Sequence, residues 1–232
     1  MRIFKISVIC ALFVMATLLA GCAGSYQARN LELKDSPLVN PDILSKGEGD
    51  QALYRYVKPG LDIKSYKKVL IDQVIIYKDG ELDKDALANY QTLANNAYVY
   101  LTRELEKDYK IVKSAEPGTL RIQWAIIDAD SSKPVRNTLS TFVPVGIAIS
   151  LVKLAATGKQ SGVGEITIQM RGTDAVTGEL LAAMLDRRVG GKDITELWSS
   201  WSNADDALKY WAKRVRFVMC KGRHESDCAK PE

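Results

Sequence analysis

The chain is 232 residues long, 47% hydrophobic and 26% charged, which fits an ordinary globular protein and excludes wholesale disorder. Its 32 basic and 28 acidic residues give a formal charge of +4, falling to +2 (30 basic against 28 acidic) once an N-terminal leader holding two positive charges is removed. That balance is too near neutrality for a domain built around a nucleic-acid backbone, and a single histidine excludes histidine-rich metal sites.

The leader comes first in chain order. Arg2 and Lys5 precede an apolar run over residues 6–20, the length of a signal-peptide core and short of a bilayer span. Leu19-Ala20-Gly21-Cys22 then resembles the bacterial lipobox, so residues 1–21 are expected to be removed and Cys22 to be lipidated. The thiol would carry a diacylglycerol and the freed amine an N-acyl chain. At about 0.8 kcal/mol per buried methylene, two or three chains hold a protein in a membrane almost permanently. Ala23, where an inner-membrane retention signal would place aspartate, resembles the enteric signal for the outer membrane. The expected location is therefore the outer membrane, lipid-anchored and facing the periplasm.

Residues 22–46 read as the lipidated cysteine and a flexible tether, since they hold Pro37 and Pro41 and show no sustained periodicity. Some 24 such residues would span about 25–30 Å. Leu31, Leu33, Leu38 and Ile43 are candidates for docking part of it on the body. Lys58-Pro59-Gly60 marks a turn. Residues 68–77 are apolar on both faces and predict a central strand. A helix is predicted from a cap at Asp83 to about Lys107, with Ala86, Leu87, Tyr90, Leu93, Ala94, Ala97, Tyr98, Leu101 and Leu105 on one stripe. A short strand follows over residues 109–113. Residues 119–128 alternate, with Leu120, Ile122, Trp124 and Ile126 facing one way and Arg121 and Gln123 the other. Residues 165–173 repeat the pattern, with Ile166, Ile168 and Met170 inward, and Thr177-Gly178 turns the chain into an antiparallel partner over residues 180–189. A last helix starts at Ser202 or Asn203 and aligns Ala204, Ala207, Leu208, Trp211, Val215 and Val218. The expected class is α+β: a mostly antiparallel sheet with two main helices on one face, preceded by the tether. The domain would occupy residues 47–219, followed by a polar tail over residues 220–232 closed by a Cys220–Cys228 disulfide, the expected product in an oxidising periplasm.

One segment fits none of these elements. Residues 142–156 (FVPVGIAISLVKLAA) would make about 22 Å of helix, short of a 30 Å hydrocarbon core, and Lys153 interrupts them. They read either as a buried helix or as a surface touching lipid or a second subunit, with Phe142, Val145, Gly146, Ile149 and Leu151 as its candidate contacts. Trp198, Trp201 and Trp211 form a second candidate interaction surface, weighed against simple core packing. The basic set Lys209, Lys213, Arg214, Arg216, Lys221 and Arg223 reads as a solvated helix end, with anionic lipid as the alternative.

Catalytic patterns are sparse. His224 lies between the two cysteines and no G-x-S-x-G elbow exists, so no nucleophile–base pair is indicated. Gly158-Lys159 lacks the rest of a phosphate loop, because Lys153 replaces its first glycine and Gln160 its Ser or Thr. A calcium loop around Gly80 would need ligands at Ile75 and Ala86. Asp128, Asp130 and Asp174 are the remaining acid/base candidates, and such residues more often cap turns. No catalytic residue, metal or dissociable cofactor is expected.

Five stretches in register carry a family resemblance: residues 56–60 (YVKPG), 137–150 (NTLSTFVPVGIAIS), 162–165 (GVGE), 174–180 (DAVTGEL), and 204–208 (ADDAL) before Trp211. Their order and spacing resemble the uncharacterised bacterial lipoproteins of domain of unknown function 3313 over nearly all of the mature chain. Members often carry proline where this chain has Gln73, a departure that touches a strand bend. The resemblance implies an envelope lipoprotein and assigns no active residue. The element order is also similar to periplasmic modules of assembly lipoproteins such as the curli secretion channel, an analogy of fold that carries no function. The expected function is a membrane-anchored periplasmic binding or envelope-assembly module without enzymatic activity, its partner the outer membrane and an envelope protein or a second copy of itself. A ring-forming assembly through residues 142–156 is the alternative reading, and an envelope hydrolase is the opposed class.

Overall fold

The alternating, β-branched segments do form strands in the computed structural model, which describes residues 26–27, 37–79, 84–127, 138–141, 165–189 and 200–231. In chain order these are β1 (Tyr26–Gln27), β2 (Ser45–Lys46), β3 (Tyr54–Val57), β4 (Lys68–Ile71), β5 (Ile75–Asp79), α1 (Lys84–Leu105), β6 (Lys110–Val112), β7 (Thr119–Ile127), β8 (Thr138–Thr141), β9 (Glu165–Asp174), β10 (Leu180–Val189) and α2 (Ser200–Gly222). Among the described residues the ten strands make one sheet, ordered β2-β3-β10-β9-β7-β4-β6, with β1 also on β10 and β5 joining β7 to β8. The expected class holds: the sheet is mostly antiparallel, and its parallel ladders are confined to β4–β6, β4–β7 and β5–β7. Those arise because α1 serves as a crossover, returning the chain so that β6 runs parallel to β4.

The single strand expected over residues 68–77 is broken in two. Between the pairs Ile71↔Ile122 and Ile75↔Ala125, β4–β5 advances four residues while β7 advances three. One surplus residue bends the strand and reverses which side chains face the core. Val69 and Ile71 are buried before the break, and Val74 and Ile76 after it. Asp72 sits in the break, where its carboxylate receives a forked pair of bonds from Arg121 (3.0 and 2.7 Å). The bend also lets one strand position take β6 as outer neighbour at one end and β8 at the other.

The core lies between one sheet face and the two helices. Ile122, Trp124 and Ile126 of β7 and Ile166, Ile168 and Met170 of β9 meet Leu93, Ala97, Leu101 and Leu105 of α1 and Leu208 and Trp211 of α2. Each large side chain enclosed here contributes about 1.5–3 kcal/mol. The predicted stripes need two corrections. Tyr98 is 36% exposed and Val218 49% exposed, whereas Ala212 and Met219 are buried. In α2 the inward row continues from half-buried Val215 to Met219, four residues on, instead of to Val218. The predicted cap Asp83 and the side chain of Ala86 lie outside the described residues.

Residues 37–46 are not tether. Leu38 and Val39 are 5% and 6% exposed and pack with Ala125 and Ala183 on the sheet face that carries no helix. Two apolar side chains in sequence need cover, and the small alanines of β7 and β10 leave room for it. Ile43, the other docking candidate described, remains 41% exposed. Leu31 and Leu33 lie outside the described residues.

Candidate functional site

The strapped face is the first place where polar groups converge. Alternation sends Gln169 and Arg171 of β9 to the face opposite Ile168 and Met170, where they meet the strap. Gln169 is fully buried, accepting from the Leu38 N–H (2.8 Å) and donating to the Val39 carbonyl (3.5 Å). Its carboxamide therefore takes the part of one peptide unit of a neighbouring strand. Arg171 donates to the Leu38 carbonyl (2.7 Å) and to Gln123 Oε1 (2.6 Å). Gln169→Ala is expected to lower stability by about 2 kcal/mol, since it removes the acceptor of a buried N–H. Hydrogen exchange should then quicken across residues 37–40 while β7 and β9 keep their protection; unchanged exchange in the strap would contradict this account.

Beside the strap is an open groove of about 310 Å³, lined by Leu38, Val39, Asn40 and Ile43 and by Arg121, Gln123, Arg171, Thr173, Gly178 and Leu180. Its cations are already engaged. Asp72 holds the Arg121 guanidinium protonated even more firmly than usual. Among the described residues, the lining sets no nucleophile beside a base.

A second polar centre lies on the helical side. Asp186 of β10 is 3% exposed. It accepts from Trp211 Nε1 (2.8 Å), Gln27 Nε2 (2.7 Å) and the Leu53 N–H (3.1 Å). One carboxylate thus joins α2, β1 and the turn that precedes β3. Arg188, two residues along the strand, stacks its guanidinium 3.6 Å from the Tyr210 ring centroid.

The tail forms a third cluster. Cys220 and Cys228 are bonded to each other with Cα atoms 5.7 Å apart, which leaves no thiolate for a metal. Closing so short a loop contributes about 2–3 kcal/mol on the chain-entropy view. Beyond it Lys230 reaches back to Asp50 (2.8 Å), which also pairs with Arg214 (3.2 Å). Hydrogen bonds from Lys230 and Arg214 pull the Asp50 carboxyl down to about 2. Arg216, with Arg223 behind it, likewise holds Asp108 below the usual carboxylate range. These carboxyls bind protons less tightly folded than unfolded, so their contribution is complete above about pH 4 and disappears as pH falls toward 2. The melting temperature should accordingly be level from pH 7 to about 4.5 and drop below that. A level profile down to pH 2 would show the pairs to be without consequence.

The predicted site residues are distributed unevenly among these clusters. Trp211 is 1% exposed, so it belongs to the core and not to an interaction surface. Cys22, Phe142, Val145, Gly146, Ile149, Leu151 and Trp198 lie outside the described residues, as does the side chain of Trp201. Asp128 and Asp130 lie outside them too. Asp174 is occupied in a turn: its Oδ1 accepts from the Val176 and Thr177 N–H groups (2.9 and 2.8 Å), and Oδ2 from the Tyr66 hydroxyl (3.1 Å). The backbone bond from Thr177 leads in holding the Asp174 carboxyl below the ordinary carboxylate pKa. His224 adopts φ +59° in the disulfide loop and is exposed. Sequence reasoning missed Gln169 and Asp186, because both stand in strands whose neighbours made them read as ordinary alternation.

Three of the stretches behind the family resemblance turn out to shape the fold. The 56–60 and 174–180 stretches meet, with Lys58 paired to Glu179 (2.6 Å) and Gly60 and Gly178 at φ +72° and +75°. In the 204–208 stretch, Asp205 accepts from Asn96 (2.8 Å) and the Tyr100 hydroxyl (2.9 Å), stapling α2 to α1. Burial, followed by that bond, pushes the Tyr100 phenol up to about 12.

These parts define an α+β domain in which two helices cover one sheet face and a strap from the N-terminal side covers part of the other. The chain belongs to the family described as Protein of unknown function (DUF3313), whose model matches residues 34–215. No curated protein matches the chain. Among solved structures it is similar to the PelC dodecamer from Paraburkholderia phytofirmans, at 12% identity and a TM-score of 0.36, over 75% of this chain and 96% of that one. It is also similar to a DUF4136 family protein from Bacteroides thetaiotaomicron, at 11% identity and a TM-score of 0.37, over 73% of this chain and 95% of that one.

Proposed function

We propose that this protein is a lipoprotein of the outer membrane, anchored through acylated Cys22 and exposing its α+β body to the periplasm as a non-enzymatic binding or assembly module. The observation that carries the reading is the run of Arg2, Lys5, the apolar residues 6–20 and Leu19-Ala20-Gly21-Cys22, in the order a lipoprotein leader requires. The Cys220–Cys228 disulfide supports an oxidising compartment. The engagement of Asp174 and Asp186 in structural bonds supports a binding role over hydrolysis. The groove beside the strap is the described surface best suited to a polar partner. Self-association through residues 142–156 is the second reading, favoured by fifteen consecutive residues interrupted by one charge.

Metabolic labelling with a fatty-acid analogue tests the anchor. Wild-type protein should take up label and sediment with membranes. Cys22→Ser should take up none and leave an uncleaved or soluble product. Label retained in Cys22→Ser would refute acylation at that residue.

A further inference from the structure

The strand pairings place several chain ends side by side. Val189, ending β10, pairs with Tyr26 of β1 and with Glu165, which begins β9. Two residues along β9, Thr167 pairs with Ile127, the end of β7, and Ile127 pairs with Tyr77 of β5. α1 follows β5 and α2 follows β10, so both helices set out from this same end. The opposite end holds the β9–β10 turn and, through Gly222 against Ile63, the disulfide loop. β10 is ten residues long, so the two ends stand about 30 Å apart.

Cys22 precedes Tyr26 by four residues. A chain reaches at most 3.3–3.6 Å per residue, which keeps the two Cα atoms within about 14 Å. β1 is held in place, because Gln27 donates to Asp186 (2.7 Å) and to the Gln51 carbonyl (2.8 Å). We infer that the end formed by β1, Val189, Glu165 and the starts of α1 and α2 is the surface that faces the bilayer, and that the sheet stands away from it. The partner of this surface is a phospholipid headgroup layer, and the inference rests on the acylation of Cys22 proposed above.

Two observations oppose the other orientations. Toward the far end of α2 Arg216 pairs with Asp108 (2.9 Å), and just past it Arg223 pairs with Glu225 (2.6 Å), while Lys213 and Lys221 are exposed. The two paired guanidiniums are thereby balanced, which weakens the positive field that could draw that end onto anionic lipid. Of the exposed large apolar side chains among the described residues, Tyr98 and Val218 stand on the two helices, and Ile43, Val57 and Val176 on the strap, β3 and the far turn. Neither broad face therefore offers a contiguous apolar patch on which to lie flat.

The test uses full-length acylated protein in vesicles of phosphatidylethanolamine and phosphatidylglycerol containing a quencher attached to a headgroup. A fluorophore is placed at Asp85→Cys near the proposed membrane end, or at Val176→Cys on the far turn. Lys84→Cys repeats the near position. The disulfide and the thioether leave the introduced thiol as the reactive one. Quenching should be several-fold stronger at positions 84 and 85 than at 176. Equal or stronger quenching at 176, in protein whose mass shows the acyl chains, would overturn the orientation and leave the anchor intact. Protein that carries no acyl chains and does not bind vesicles would overturn the anchor and the orientation together.

Discussion

Asp186→Ala is expected to lower the free energy of unfolding by about 3–5 kcal/mol, a large share of the stability of a single domain. Its carboxylate accepts from three donors on three separate segments: the Trp211 indole, the Gln27 amide and the Leu53 N–H. Each donor left without an acceptor in a buried setting costs about 1–3 kcal/mol, and the three are not fully additive because water can enter the space left behind. Asp186→Asn keeps one acceptor oxygen in nearly the same shape and should lose less. Urea unfolding at neutral pH measures both. A loss below about 1 kcal/mol for the alanine variant would mean that the carboxylate is not what joins β1, β10 and α2.

Trp211→Ala should cost a similar amount, about 3–5 kcal/mol, for a different reason. The indole is 1% exposed and sits in the layer between α2 and the sheet, so truncation leaves a cavity that neighbours fill only partly. Trp211→Phe keeps a six-membered ring in the layer and removes the bond to Asp186 together with the five-membered ring, so it should lose less than the alanine variant. The two sites share that bond, so the double variant Asp186→Ala/Trp211→Ala should lose less than the sum of the single losses, by about 1 kcal/mol or more. Strict additivity would show that the indole and the carboxylate act independently.

The helical layer and the long strands were legible in the sequence because one periodicity governs each of them. Leu120, Ile122, Trp124 and Ile126 alternate without interruption, and all four are buried. The strap was legible only in part: Leu38 stood out as a docking candidate, and it is buried, but neither Val39 nor the face they cover could be read. Leu38 and Val39 stand beside Pro37 and Pro41, and a short apolar pair between prolines has no period to read. Gln169 and Asp186 were hidden by the same alternation that revealed their neighbours. Polar residues at alternate positions read as solvent-facing, and only a segment arriving from elsewhere in the chain buries Gln169. The strand break at Asp72 depends on a tertiary pairing with Arg121, beyond the reach of local propensity.

The segment expected as a tether is in part bound to the sheet, at Tyr26 and at Leu38 and Val39. A flexible run of 24 residues would let the body drift well away from the lipid. With Tyr26 already paired to Val189, the proposed anchor Cys22 stands four residues before the sheet. With Cys22 acylated as proposed, so short a leash would give the body a preferred side toward the membrane and would leave the groove beside the strap, near the Gly178 turn, toward the far end. A periplasmic partner would meet the molecule there.

The anchor is the claim on which the rest depends, and the mass of the mature N-terminal peptide from envelope-extracted protein tests it most directly. Acylation at Cys22 predicts a chain that begins at Cys22 and carries a diacylglycerol with a further acyl group on its amine. A chain that still begins at Met1, or one that begins at an unmodified Cys22, would contradict it.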